Sequence, residues 1–94
     1  MKPWTTVTAS YQAVIRDRLL VVPAAGMIIT LPVAPVAGDV ITFIDATGTA
    51  GTTNFTIARN GKPIQSLAED LIVDVSSSSF DLVFYNNVTG WRIS

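Results

Sequence analysis

The residues of this chain that carry chemistry are few, and their types narrow the options further. There is neither Cys nor His. Thiolate and imidazole metal sites, disulfides and any triad needing Cys or His are therefore excluded. The one serine run, Ser76 to Ser79, offers hydroxyls, but a serine nucleophile needs a base within hydrogen-bond reach. Besides carboxylates the candidates are Lys2 and Lys62, and neither is spaced into a motif with the run. It reads as a polar loop between two strands. Asp39, Asp45, Asp74 and Asp81 do not show the every-second-residue spacing of a calcium loop. Asp39 after Gly38, Asp45 at a strand end and Glu69-Asp70 are turn residues first. Gly48-Thr49-Ala50-Gly51 lacks the Gly-Lys-Ser/Thr ending of a phosphate loop, and no helix follows it. No catalytic, cofactor-binding or metal-binding residue is assigned. The expectation is a protein that is not an enzyme and uses no cofactor.

The large aromatic residues point to binding instead. Trp91 alternates with Ile93 and belongs to a core. Val83 and Tyr85 lie opposite Phe80, Leu82 and Phe84 on one strand, a second apolar face that a small sheet does not bury alone. Ile41 and Phe43 sit on a strand, Gly38 to Asp45, that is apolar on both faces. Trp4 follows Pro3 at an otherwise polar terminus and reads either as a docking anchor, the reading taken here, or as a lid on the core of its own subunit. Trp4, Ile41, Phe43, Val83 and Tyr85 are thus the candidate oligomer or partner interface.

The elements that hold these residues are strands. Val, Ile and Thr account for 31 of the 94 residues, and five Pro and six Gly interrupt them at short intervals. No window keeps a helical period. Strands are expected at Thr5 to Thr8, Gln12 to Ile15, Arg18 to Val22, Met27 to Leu31, Gly38 to Asp45, Asn54 to Arg59, Leu71 to Val75 and Ser79 to Tyr85. Trp91-Arg92-Ile93 returns as a C-terminal hairpin. Asn60-Gly61 predicts a two-residue hairpin with Lys62 to Gln65 as its return arm. No internal repeat of fixed period is visible. The expected class is all-β, a small antiparallel β-sandwich or jelly-roll-like domain of about seven or eight short strands. Residues 1–25 read as an N-terminal arm with the first short strands. Residues 26–94 read as the β-domain, within a single domain overall.

Charge and length set the partners. Lys and Arg number 6, Asp and Glu 7, and the net charge is -1, which does not fit a nucleic-acid footprint. Leu19 to Leu31 is broken by Pro23, Gly26 and Thr30 and is too short to span a bilayer. No nucleic acid and no membrane partner is expected, and a polar N-terminus predicts synthesis in a cytoplasm. For 10.0 kDa, apolar burial and chain ordering each come to roughly 140 kcal/mol and nearly cancel. Association with copies of the same chain is one way to gain a margin.

Four stretches in order carry a resemblance: Leu31-Pro32-Val33-Ala34-Pro35-Val36-Ala37-Gly38-Asp39-Val40, then Phe55-Thr56-Ile57-Ala58-Arg59-Asn60-Gly61, then Leu67-Ala68-Glu69-Asp70-Leu71, and finally Leu82-Val83-Phe84-Tyr85 with Gly90-Trp91-Arg92. This order resembles a β-domain found in structural proteins of tailed bacteriophages, in tail-fibre segments and small head-decoration proteins. It covers roughly residues 26 to 94. The resemblance implies a virion surface component, commonly trimeric, with no enzymatic activity, and carries over no catalytic residue. Fibre proteins have a separate anchor and shaft, and little of this chain is left for either. The expectation is a capsid decoration or cement protein, a homotrimer that binds the major capsid protein or other virion subunits and stabilises the head shell. The alternative is a tail-fibre or spike module recognising a host receptor or glycan.

Overall fold

The computed structural model describes residues 2–94. Among them are nine strands and no helix. In chain order they are β1 (Trp4–Val7), β2 (Tyr11–Gln12), β3 (Arg18–Val21), β4 (Ile28–Thr30), β5 (Val40–Asp45), β6 (Phe55–Ala58), β7 (Leu71–Val73), β8 (Ser79–Asn86) and β9 (Gly90–Ile93). They make two sheets. Sheet A has the order β1-β3-β5-β8-β9, and sheet B the order β2-β4-β6-β7.

From β1 to β6 the chain alternates between the sheets, and each return lands parallel to the strand before it. The parallel pairs are β1–β3, β3–β5, β2–β4 and β4–β6. Only β5–β8, β6–β7 and β8–β9 are antiparallel. Both sheets are therefore mixed, and the expectation of an antiparallel domain is corrected. The reason is visible in the connections. β8 and β9 are joined by a tight turn that the Asn86 side chain closes, accepting the N–H groups of Val88 and Thr89 at 2.9 and 2.7 Å. Tight turns also precede β3 and β5, where the Asp17 and Asp39 side chains accept the Val14 and Val36 N–H groups, but they lead the chain from one sheet into the other, so the first six strands' neighbours in the sheet are not their neighbours in sequence.

Alternation within each strand sets what is buried. In β5, Ile41 and Phe43 are fully buried, and Val40, Thr42 and Ile44 on the other face are half-buried. Inward side chains from both sheets join one core, with Leu19, Val21, Leu82 and Trp91 from sheet A and Ile29, Phe55 and Ile57 from sheet B. Phe43 stacks on Phe80 at 5.3 Å between ring centroids, and Phe84 meets Trp91 edge to face at 5.3 Å. Such pairs stabilise beyond the area they bury.

Residues 2–25, expected as an arm with the first short strands, supply β1, β2 and β3, and Val7, Ala13, Leu19 and Val21 are core residues. Met1, the first residue of that stretch, lies outside the described residues. One further expectation is corrected here. Asn60 and Gly61 do adopt positive φ, at 50° and 89°, but they do not close a hairpin. β6 pairs instead with β7. The segment after Gly61 crosses to sheet A, where Ile64 bridges Trp91. Pro63 has no N–H to give a ladder, so its carbonyl does the work, accepting the Trp91 N–H at 2.9 Å.

Candidate interaction surface

The outward side chains of sheet A follow from the register. One row across the sheet is Trp4, Arg18, Thr42 and Asp81. On one side of it lies the row Thr6, Leu20, Ile44 and Ser79. On the other side lies the row Val40, Val83 and Arg92. Leu20 with Ile44 and Val40 with Val83 are thus two apolar pairs, parted by the row that holds Arg18, Thr42 and Asp81, and all four are half-buried. Tyr85 extends the Val40–Val83 pair at the end of β8, where the pairing with β9 shifts register between Phe84 and Asn86. That bulge leaves Tyr85 63% exposed.

The structure brings together Val83 and Tyr85 of the sequence candidates. It does not bring Ile41 and Phe43 to this surface. Both are 0% exposed and face the core, so their place as interface candidates is corrected, and Val40 and Ile44 take it. Two apolar faces on β5 were visible in the sequence. Which face pointed outward depended on the parity of pairing with β3 and β8. Leu20 was missed because β3 reads apolar throughout.

Trp4 lies on the margin of the same face and is fixed to its own subunit. The Arg18 guanidinium sits 4.1 Å from the Trp4 ring centroid, and Arg18 donates to the Lys2 carbonyl at 3.1 Å. Lys2 in turn donates to Asp17 at 3.0 Å. Asp17 is 4% exposed and also accepts the Tyr11 hydroxyl at 3.0 Å and the Val14 N–H at 2.9 Å. Burial, then the bond to Asp17 and its negative charge, hold the Tyr11 phenol above its ordinary value of 10.0. The cluster pins the first coil of chain to the rest. Trp4 itself stays 36% exposed.

A second buried carboxylate ties two loops together. Asp45, 6% exposed, accepts the N–H groups of Ala50 and Ser77, both at 2.9 Å through Oδ2. Burial pushes its pKa up, and the N–H groups of Ala50, Ser77, Thr49 and Gly48 outweigh that, so the net shift is downward from 3.8. The serine run takes its place here: the Ser76 hydroxyl accepts the Gly51 N–H at 2.9 Å. These are structural duties, as the sequence suggested for a loop.

Set against known proteins, the chain matches no protein-family model, and no curated protein is similar to it.

Proposed function

We propose that this chain is a non-enzymatic structural protein of a tailed-bacteriophage virion, a head-decoration protein that binds the capsid shell as a homotrimer. The observation that carries the reading is the outer face of sheet A. Leu20 with Ile44, and Val40 with Val83 and the exposed Tyr85, place apolar side chains on either side of a central row that holds Arg18, Thr42 and Asp81. Apolar groups interleaved with charged ones, with Arg92 at the margin, suit a protein interface. The order of sequence stretches that resembles phage β-domains supports the same reading. We also read the two sheets as a small sandwich, because their inward side chains share one core. In this proposal the outer face of sheet A joins sister subunits and the loops bridge neighbouring shell subunits.

The test is sedimentation equilibrium of the full chain at micromolar concentration, paired with co-sedimentation. A species of about 30 kDa is expected, three times the 10.0 kDa chain, together with pelleting on empty capsids and not on host cells. Val83→Asp places a charge beside Val40 and Tyr85 and is expected to weaken self-association at least tenfold, the factor for about 1.4 kcal/mol. Its thermal melt as a monomer should stay close to the parent's, because Val83 does not face the core. A parent that remains a 10 kDa monomer and pellets with cells would overturn the reading in favour of a receptor-binding module.

A further inference from the structure

Sheet A is five strands wide and sheet B four. Sheet B therefore ends one strand short, at β7. Part of the missing position is taken by Pro63 to Leu67. Ile64 bridges Trp91, the Gln65 N–H donates to the Trp91 carbonyl at 2.8 Å, and the Ile93 N–H donates to the Gln65 side chain at 3.2 Å. These contacts seal the edge of β9. The remainder is open, and Ile93 records it. Its register partner on β8 is fully buried Leu82, which puts both on the core side, yet Ile93 is 43% exposed.

An open depression of about 300 Å³ lies there, walled by Leu71, Val73, Phe80 and Ile93. A second, of about 180 Å³, reaches to Ile64 and Leu67, and Leu71 lines both. Together they make a trough along the free edge of β7. Among the described residues, no backbone–backbone hydrogen bond outside the β6–β7 ladder involves residues 71–75, and the one side-chain bond to their main chain, from the Ser78 hydroxyl to the Val75 carbonyl, lies past the end of β7. An unpaired edge of this kind is a template for another strand. The trough's charge has one sign. Glu69, Asp70 and Asp74 line it, and no Lys or Arg does. The ion pair found among the described residues, Lys2 with Asp17, is elsewhere.

We propose that this trough receives an extended strand from another protein, one that alternates apolar residues with Lys or Arg and continues sheet B beyond β7. Main-chain bonds to the β7 edge hold the guest, and its alternate side chains enter the depressions over Phe80 and Ile93. The intervening cations meet Glu69, Asp70 and Asp74, which sets the sign of the guest's charge. This chain does not supply such a strand itself. Its basic residues number 6 and stand apart, and the nearest pair, Arg16 and Arg18, runs into β3 inside sheet A. The inference goes beyond the virion reading and stands without it, since it names the chemistry of a guest strand whatever particle the host belongs to.

The experiment titrates a blocked heptapeptide of alternating Lys and Val into the full isotope-labelled chain at low salt, with backbone amide shifts as the readout. Saturable shifts are expected at Leu71 to Val75 and at Ile93. A Glu–Val peptide of the same length, and the Lys–Val peptide with methylated backbone amides, should each bind at least tenfold more weakly. Asp74→Lys, at an exposed position, should weaken the Lys–Val peptide while leaving the parent's spectrum otherwise intact. Equal binding of all three peptides, shifts centred on Val83 and Tyr85, or no saturation at millimolar peptide would overturn the proposal. So would the same amides shifting on simple dilution without peptide, which would make a second copy the occupant.

Discussion

Gly90→Ala is expected to be the most damaging single methyl that can be added to this protein, with a loss of more than about 4 kcal/mol or no folding at all. Gly90 has φ of 72°, where an L side chain costs roughly 1–2 kcal/mol. The larger part is contact. A Cβ at this position would lie 1.9 Å from the Pro63 carbonyl oxygen and 2.5 Å from its carbon. Those are backbone atoms of the segment that seals β9, and they cannot rotate away. Displacing them breaks the Trp91-to-Pro63 bond and the Ser66-to-Thr89 bond, both 2.9 Å. It also lifts Ile64 off Trp91, which is fully buried. Gly26→Ala is the control, because Gly26 has φ of 74° and open space around it. Urea unfolding of both variants, followed by circular dichroism, isolates the clash. Equal losses for the two would show that φ alone matters and that the Pro63 contact does not.

Asp45→Ala should cost about 3 kcal/mol at neutral pH, because it strands the buried Ala50 N–H and releases the Ser77 loop. The Ala50 N–H lies on a residue that is 0% exposed, and the Ser77 N–H shares the same Oδ2. Asp45→Asn keeps an oxygen for both and should cost less, while losing the charge that strengthens them. The pH dependence distinguishes the two effects. The folded state holds the Asp45 carboxyl below its ordinary 3.8. The unfolded chain therefore binds the proton first, and the stability due to ionised Asp45 is complete above about pH 5. It is lost as pH falls below 3.8 through the lower folded value. Thermal melts of the parent and of Asp45→Asn between pH 2.5 and 7 should show a gap that closes on the acid side only. A gap constant across that range would mean the charge contributes nothing.

Much of the strand content was legible because alternation is a local signal. Phe80, Leu82 and Phe84 against Val83 and Tyr85 placed β8, and the Asn86 to Gly90 turn placed β9 beside it. Pairing was not legible for the first six strands. The register offset lengthens from 14 residues between Trp4 and Arg18, to 18 between Tyr11 and Ile29, 24 between Arg18 and Thr42, and 28 between Ile28 and Thr56. A periodic search finds nothing in a series that never repeats. Asn60-Gly61 shows the limit of turn chemistry. Its positive φ values were readable, and the direction of the chain beyond them was set by Pro63 and by the vacant position beside β9. At the candidate surface, Val83 and Tyr85 were readable as outward because Phe80 and Leu82 had to be inward. Ile41 and Phe43 had no such arbiter within their own strand. Asp45 was readable as a turn residue, but its burial arises from a loop 32 residues further on.

The stacked parallel returns also govern how the molecule comes into being. In an antiparallel meander each strand finds its neighbour across a short turn. Here the β8–β9 hairpin is the one ladder closed by a short loop, with Phe84 opposite Trp91. The β5–β8 ladder joins Val40 to Val83, and each parallel ladder spans at least the 14 residues between Trp4 and Arg18. Chain closure must precede the contacts that reward it, and topologies of this kind refold over roughly milliseconds to seconds. Small size therefore does not make this a fast folder. Until β3 and β5 are in register, the inward side chains Leu19, Val21, Ile41 and Phe43 stay open to other chains, so nascent copies compete between folding and premature association. Stopped-flow refolding that ran in microseconds would contradict this account of the assembly order.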